Sequence, residues 1–525
     1  MVLLVVLLST PTRLRAQATT SVPLSAIVYR DLDALAGAGL IDSMLVGVRP
    51  YSRREVVRLL REAQRNVARL SGAHGWAERM IAAHLERYDR APVAAVESAR
   101  IDGTYLDSPP RAIPADSNGR VDAALNPIVA FREGRPLYDG ATAAFESRHA
   151  AELGPWLALF VEPRITTASR RGLGEATTIA RLQAGAVDFL FGNLSISAGR
   201  EAVVFGQAPT GGLVLSSNAP PLDRVRVGND RPAKLPWILG LLGPVRGTAF
   251  IADLGPHQNY PHAKLIGYKL SMAIHPQFEL GAQVVDQMGG RGSPAGLFRD
   301  RLYDLVPLID IFRTSGDYQF SNKFAGIDFR WRLPRARGFE LFFDGALDDL
   351  DSRRWKSTFL EDAGYIAGFS FACLVECGRT TLRAEYHQTG IRYYTHTQFT
   401  SGIAQNRVLL GDPLGPRGLG SYLSIDRSDD RVGTVALAGA FEVRSGNRYG
   451  VAVTGPQERG FHFVLLERHP AESRARALLS WTSPARRPHV STNLATGIER
   501  TTNFSFVDGF RRTNFIAQVG VEVHP

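Results

Sequence analysis

Residues 193–229, NLSISAGREAVVFGQAPTGGLVLSSNAPPLDRVRVGN, decide how this chain is expected to fold. The stretch begins with an alternation of apolar and polar residues at 194–199 and closes with a second one at 224–227. Between them, residues 206–220 are rich in glycine, serine, asparagine and proline. Alternation with a period of two is typical of a half-buried β-strand. The stretch therefore predicts a hairpin whose long polar tip has a function of its own.

The same period recurs over most of the remaining chain. In one run Ile327, Phe329 and Trp331 oppose Asp328 and Arg330. Apolar residues facing out and charged residues facing in are typical of a transmembrane barrel, and closure removes the exposed edges of a large sheet. We therefore predict a mainly β fold, a transmembrane antiparallel β-barrel of roughly 18 strands, over residues 93–525. A multidomain soluble β protein is the less favoured interpretation.

The N-terminus has the pattern of an exported protein. Residues 2–8 form an apolar run, and small residues follow at Ala16 and Ala18, either of which could precede a cleavage point. Residues 1–18 are accordingly predicted to be a signal peptide.

A short helical domain is predicted between the signal peptide and the barrel. Apolar residues recur at helical spacing in residues 19–92, and Ser52 followed by Glu55 forms a capping box before an apolar run. We expect a small α-helical bundle on the periplasmic side of the barrel.

The chain is strongly basic, and nearly all of its basic residues are arginine. The net charge is +10, and only five of the 61 basic residues are lysine. Arginine suits carboxylate and phosphate groups, so an acidic glycan or a lipopolysaccharide phosphate would be a suitable partner, although codon bias would also explain the composition. Because no dense basic run with interleaved aromatics occurs, we expect no nucleic-acid partner.

The two cysteines, Cys373 and Cys377, lie between two alternating runs. A disulfide across a tight turn in an oxidising periplasm and two free thiols at the end of a hairpin both fit this spacing. Two cysteines alone do not predict a metal site, and we expect neither a metal nor a cofactor.

The lengths of the connections predict a polarity. Short turns at 334–338 and 374–378 should face the periplasm. An apolar segment at 297–312 could form a helix that plugs the pore. Long segments should face outward or fold into the lumen, and there are three of them: 201–222, 287–321 and 390–432.

Four motifs occur in a telling order. They are Gly199-Arg200-Glu201 leading to Leu215-Ser216-Ser217-Asn218-Ala219-Pro220, Asn322-Lys323-Phe324-Ala325-Gly326-Ile327-Asp328, Phe343-Asp344-Gly345 with Tyr365-Ile366-Ala367-Gly368, and Tyr394-Thr395-His396 with Gly411-Asp412-Pro413-Leu414-Gly415. In this order they resemble the Wzi-type capsule assembly proteins. The resemblance implies a lectin-like barrel of the bacterial outer membrane that helps to attach capsular polysaccharide to the cell surface.

The polysaccharide hypothesis assigns roles to named residues. Aromatic rings stack on sugar faces, while amides and carboxylates bond hydroxyl groups. Four loop residues are predicted to contact sugar: Asn218, Tyr394, His396 and Asp412. Three inward residues are predicted to line the lumen and to brace a plug through charge pairs: Arg330, Arg383 and Glu385.

The alternative function is an outer-membrane porin or substrate channel with an arginine-lined lumen. The sequence contains no H-E-x-x-H, no G-x-S-x-G and no P-loop, so an enzyme is not predicted. The expected partners are surface or capsular polysaccharide and outer-membrane lipid. The sequence leaves the oligomeric state open, and a monomer is favoured.

Overall fold

The structure is a computed structural model that describes residues 18–69, 75–89, 94–107, 111–112, 124–125, 130–169, 176–209, 211–294, 321–348, 359, 361–453, 461–484 and 490–524. The predicted signal peptide, except for Ala18, and the plug helix predicted at 297–312 lie outside these ranges. Within them, no helix combines the length and the apolar character needed to cross a membrane.

Long antiparallel strands dominate the described chain. Their bounds are β1 Ala95–Leu106, β2 Gly140–Leu153, β3 Leu157–Ser169, β4 Ala176–Phe191, β5 Leu194–Glu201, β6 Leu222–Asn229, β7 Pro244–Asp253, β8 Lys264–His275, β9 Phe278–Met288, β10 Ser321–Leu333, β11 Phe339–Asp348, β12 Ala363–Phe371, β13 Thr380–Thr389, β14 Gly418–Asp429, β15 Gly433–Arg444, β16 Glu472–Thr482, β17 Val490–Thr502 and β18 Arg511–Val523.

These strands close into one barrel. Each pairs with its neighbour in sequence, and β1 pairs with both β2 and β18, so that Ile101 lies opposite Phe145 on one side and Val521 on the other. The described ranges thus contain a closed barrel of eighteen long strands. The fold class predicted from the alternation is confirmed.

The two faces of the barrel wall differ as the sequence predicts. On β10, Ile327 is 61% exposed and Trp331 is 44% exposed, whereas Asp328 and Arg330 are buried. Because successive residues of a strand point to opposite faces, the apolar set faces outward and the charged set faces the lumen.

Three helices form a small bundle: α1 Val28–Gly37, α2 Arg53–Val67 and α3 Gly75–Tyr88. The Ser52 side chain accepts a hydrogen bond from the Glu55 N–H at 3.1 Å, so the predicted cap at the start of α2 is confirmed. The bundle has its own apolar core, which includes Leu32, Leu35 and Leu59.

The bundle packs against the barrel end that carries the short turns, which we call the helical end. Gly37 lies against Ala372, and Gly39 lies against Pro334. The ring of Trp76 covers Gly378 so closely that a side chain at that glycine would collide with it. The opposite barrel end is called the loop end.

Cys373 and Cys377 are joined by a disulfide in the turn between β12 and β13. Of the two states that the sequence left open, the structure therefore has the disulfide.

The prediction that 390–432 is one long loop is wrong in its last third, because β14 occupies 418–429. Turn-forming residues precede β14 and continue into its first residues, so the apolar–polar alternation of the strand could not be recognised there.

A buried carboxylate ties α1 to α3. Asp31 accepts hydrogen bonds from Arg30 Nη2 at 2.9 Å and from His84 Nε2 at 2.8 Å. Burial raises the pKa of Asp31, but the Arg30 guanidinium and the His84 hydrogen bond outweigh it and hold the pKa at about 2, below the ordinary 3.8.

We expect Asp31→Asn to destabilise the bundle by about 2 kcal/mol at pH 7, since a depressed carboxyl pKa stabilises the folded state only while the group is ionised. That contribution is present above pH 3.8 and is lost as the pH falls toward about 2, so wild type and variant should converge there. Hydrogen exchange of the α3 amides as a function of pH measures the difference.

Asp89→Asn is the matched control, because Asp89 pairs with Arg61 on the exposed surface. It should change stability by less than about 1 kcal/mol. A difference between wild type and Asp31→Asn that stays constant from pH 7 to pH 2 would contradict the assignment.

Candidate functional site

Two long connections enter the lumen instead of extending into solvent. Residues 202–221 join β5 to β6, and residues 390–417 join β13 to β14. Together we call them the plug. Phe205, Leu213 and Tyr394 of the plug are each 0% exposed, so the plug fills the lumen around these residues.

The plug has an apolar core that the alternation did not predict. Plug residues such as Val214 and Phe399 pack against inward residues of the barrel wall. These wall residues are apolar: Phe250, Leu265, Val285, Phe324, Phe342 and Ile366. The inward face is therefore mixed, since it is charged in places and apolar where it meets the plug.

Glycines allow the first plug segment to turn sharply. Gly206 has φ +132°, and a side chain there would collide with the Asp344 carboxylate. A side chain at Gly212 would collide with the carbonyl of Phe205. Because only glycine fits such positions, the glycine-rich composition of this loop is a packing requirement.

Hydrogen bonds join the two plug segments. Ser216 donates through its hydroxyl to the Gly411 carbonyl at 2.7 Å, and its N–H donates to the Leu410 carbonyl at 2.7 Å. Asn218 Nδ2 donates to the Leu409 carbonyl at 2.9 Å. Within the second plug segment, Ala404–Gln405 pairs with Val408–Leu409 in a small sheet.

A buried polar cluster joins the plug to the wall. Lys269 Nζ pairs with Asp328 Oδ2, and both side chains are 0% exposed. Gln207 Nε2 of the plug donates to Asp328 Oδ1 at 2.8 Å. Asp344 accepts a hydrogen bond from the Leu213 N–H of the plug at 3.3 Å. The buried carboxylates of Asp328 and Asp344 thus each accept a hydrogen bond from the plug.

The three predicted lumen residues point inward. Arg330 pairs with Glu340 at 2.7 Å and donates to the carbonyl of Gln207, so it bridges wall and plug. Arg383 and Glu385 have different partners. Arg383 approaches Asp426 at 3.7 Å, and Glu385 Oε2 lies 3.0 Å from Nε2 of His387.

The four predicted sugar contacts are all buried, and each bonds with the protein. The Tyr394 hydroxyl donates to the Leu213 carbonyl and accepts from the Asp412 N–H at 2.7 Å. Asp412 Oδ2 contacts His387 Nδ1 of the wall. Asn218 lies between the plug segments, and His396 Nδ1 accepts the Phe399 N–H at 3.0 Å. In this conformation these side chains present little or no surface to an outside ligand.

A polar surface lies above the plug at the loop end. It consists of residues 255–262, which connect β7 to β8, and residues 396–407 of the plug, and we call it the platform. Asn259 joins the two segments by hydrogen bonds. Its N–H donates to Ser401 Oγ at 2.7 Å, and its Nδ2 donates to the Gln398 carbonyl at 2.7 Å. The rings of Tyr260 and Phe399 meet edge to face with centroids 5.6 Å apart.

The platform presents an arginine at a tight turn. Asn406 and Arg407 connect the two short strands of the small sheet, and both have positive φ, 49° and 62°. Two positive φ values fit a type I′ hairpin turn, a conformation in which a residue such as arginine is strained. Both residues are exposed, as are His257 and Asn259 on the neighbouring segment.

Sequence reasoning missed the segment at 255–262. Its signal was available: His257, Asn259, Tyr260 and His262 occur together between two alternating runs. The same reasoning favoured 390–432 because that long segment combines aromatic residues with glycine, asparagine and aspartate.

Nothing in the described ranges suggests a metal or a catalytic triad. No group of three or more His, Cys, Asp and Glu there could hold a metal ion. The Ser216 hydroxyl bonds to backbone carbonyls, while His387 lies between Glu385 and Asp412.

A closed eighteen-stranded barrel with an apolar outer face defines an outer-membrane β-barrel protein, and this barrel contains a plug with an apolar core. The chain belongs to the capsule assembly protein Wzi family, whose family model matches residues 111–515. The resemblance stated from the four motifs is confirmed.

Two of the known proteins that are similar to this chain show what the likeness covers. Wzi of Escherichia coli, described as an outer-membrane carbohydrate-binding β-barrel involved in group 1 capsule assembly, has a solved structure that aligns with a TM-score of 0.67 and 16% identity, covering 97% of this chain and 99% of that one. An uncharacterized 55.8 kDa protein from the cps region of Klebsiella pneumoniae is 29% identical over 111 residues, and this match spans about a fifth of each protein, 21% of both. At these levels of identity the structural match establishes the fold.

Proposed function

We propose that this protein binds surface or capsular polysaccharide at the platform and contributes to capsule assembly or attachment by binding, without catalysis. The observation that carries the proposal is the combination of Tyr260, Asn259 and Arg407 on a surface held rigid by the plug. Family membership and the fold shared with Wzi of Escherichia coli support it.

The chemistry of the platform suits an acidic glycan. The half-buried ring of Tyr260 offers an apolar face for a pyranose, and the exposed amides of Asn259 and Asn406 can bond hydroxyl groups. The exposed Arg407 suits a carboxylate of the polymer, because its guanidinium matches that group in shape and charge. The entropy cost of ordering the platform on binding would be small, since two hydrogen bonds of Asn259, to Ser401 Oγ and to the Gln398 carbonyl, already join its two segments.

Most of the four residues that the sequence predicted to contact sugar would serve the platform as structural supports and not as contacts. We propose that Asn218, Tyr394 and Asp412 support the platform from below by fixing the plug. His396 packs on Phe399 beside Tyr260, with ring centroids of His396 and Phe399 5.7 Å apart, so it is the one of the four placed to touch a bound sugar after small adjustments.

The same proposal orients the protein in the cell. Residues 1–18 would direct export, the helical bundle of residues 19–92 would face the periplasm, and residues 93–525 would form the barrel with its platform at the cell surface. The protein would act as a monomer surrounded by outer-membrane lipid, and it needs no cofactor.

We expect Tyr260→Ala and Arg407→Ala each to weaken binding of the strain's purified capsular polysaccharide about tenfold, the effect of losing one stacking or charged contact worth roughly 1.4 kcal/mol. Isothermal titration with the detergent-solubilised full-length protein measures the affinity. If Arg407 meets a carboxylate, the loss in Arg407→Ala should shrink as salt is raised.

Two control variants distinguish residues that contact the polysaccharide from residues that only support the platform. Arg448→Ala removes an exposed arginine that pairs with Glu467 on a separate hairpin, and binding should not change. Tyr394→Phe should lower stability while leaving the affinity of the folded protein nearly unchanged. Full affinity in both Tyr260→Ala and Arg407→Ala would rule out the platform as the site.

A further inference from the structure

A short loop on the outside of the barrel exposes an unusual amount of apolar surface. Residues 230–243 connect β6 to β7 and contain a 3-10 helix, Trp237–Leu242, with the sequence WILGLL. Trp237 is 95% exposed, and Ile238 and Leu241 are each 77% exposed. A cluster of large apolar side chains this exposed marks an interaction surface, because water-facing surfaces seldom carry one.

The loop folds back onto the outer wall of the barrel. Leu235 and Leu242 pack with Val245 of β7 and with Leu270 and Met272 of β8. Those three wall residues alternate with inward Arg246, Lys269 and Ser271, so they belong to the outward face. The other side of the loop, with Trp237, points away from the barrel.

The loop lies at the level of an aromatic girdle. Trp156, Phe191 and Trp331 are 63%, 55% and 44% exposed on the outer wall, each close to a turn at the helical end. Residues 230–243 connect strands at that same end. Girdles of tryptophan and other aromatics mark the membrane–water boundary of such barrels. The apolar loop is therefore continuous with the lipid-facing surface.

We propose that residues 234–242 form an interfacial anchor that inserts into the inner leaflet of the outer membrane. Trp237, Ile238 and Leu241 would lie at the boundary between lipid headgroups and acyl chains, where an indole is favoured. The exposed Lys234 at the start of the segment would reach the phosphate groups. The anchor would set the height and tilt of the barrel, and so the distance of the helical bundle from the membrane.

The test uses the full-length protein in vesicles of phosphatidylethanolamine and phosphatidylglycerol, with and without lipid brominated near the headgroup end of its acyl chains. Subtracting the emission of Trp237→Phe from that of the wild type isolates the signal of Trp237. We expect a blue-shifted emission that bromine quenches at least about twofold, as for an indole in the interface. Trp156→Phe serves as the positive control. Trp76→Phe serves as the negative one, because Trp76 belongs to the helical bundle and its ring lies against Gly378 of the turn between β12 and β13.

A water-like, unquenched Trp237 signal would overturn the proposal and would favour a periplasmic protein as the occupant of this surface. A second measurement does not depend on fluorescence. Ile238→Asn with Leu241→Asn should slow refolding into the same vesicles several-fold, scored by the heat-modifiable gel shift. Val375→Asn is its control, because Val375 is 71% exposed in the disulfide turn, and equal rates for the two variants would also reject the anchor.

Discussion

Replacing both plug segments, residues 202–221 and 390–417, by Asn-Gly turns should make the barrel conduct ions. Barrels of 16–18 strands enclose an aqueous channel when nothing fills them. Here the described lumen is occupied by plug residues such as Phe205 and Tyr394 at 0% exposure. The wild type should therefore be silent in a planar bilayer, and the double replacement should give stable open steps.

The design keeps the barrel intact. Glu201 is paired with Leu222 and Gln388 with Leu419, so each removed segment begins and ends within one or two residues of a paired position. An Asn-Gly dipeptide favours the two-residue turn that such strand ends require. The matched control replaces residues 449–466, which include nearly all of the paired strands Arg448–Val453 and Phe461–Glu467 outside the barrel sheet, and it should remain silent.

The recording decides between the two functions considered for this chain. Open conductance of the wild type would favour the arginine-lined channel over the plugged binding protein. A silent double replacement that still shows the heat-modifiable shift of a folded barrel would mean that something other than these two segments closes the lumen.

Asp328→Ala should cost about 3–5 kcal/mol of unfolding free energy, because it leaves the ammonium group of Lys269 buried without its partner. Both side chains are 0% exposed, and the variant also loses the hydrogen bond from Gln207 that holds the plug. The urea midpoint of unfolding in detergent, followed by the heat-modifiable shift, measures the loss.

Two further variants test the cause. Asp253→Ala breaks an exposed ion pair with Lys264 and should cost no more than about 1 kcal/mol. The double replacement Lys269→Met with Asp328→Leu removes both charges and should recover most of the stability, since a matched apolar pair needs no desolvation. Two results would show that the buried charge is not the cause. One is a loss of unfolding free energy in Asp328→Ala no larger than that in Asp253→Ala. The other is a double replacement that is no more stable than Asp328→Ala.

Local chemistry made much of the architecture predictable. The outward exposure of Ile327 and the burial of Asp328 follow from alternation, which each strand carries by itself. The cap at Ser52 follows from a spacing of three residues. The last third of 390–432 was mispredicted because turn formers outnumber alternating residues before β14.

The site was predicted less well, because its geometry depends on contacts between distant segments. Asn218 and Tyr394 have the residue types of sugar contacts, and the sequence placed them correctly in long connections. Their side chains instead bond to Leu409 and Leu213, which are 191 and 181 residues away along the chain. No local pattern distinguishes a polar loop residue that faces solvent from one that satisfies a buried backbone group.

The sequence by itself determined a membrane barrel of about eighteen strands with a capped helical domain, because the period of two and the cap operate over a few neighbouring residues. Only the tertiary structure decided that residues 202–221 and 390–417 fill the lumen and that residues 255–262 share the exposed surface above them. The physical reason is that burial of a loop is a property of what packs against it, and here the contacts come from strands and loops far apart in the chain.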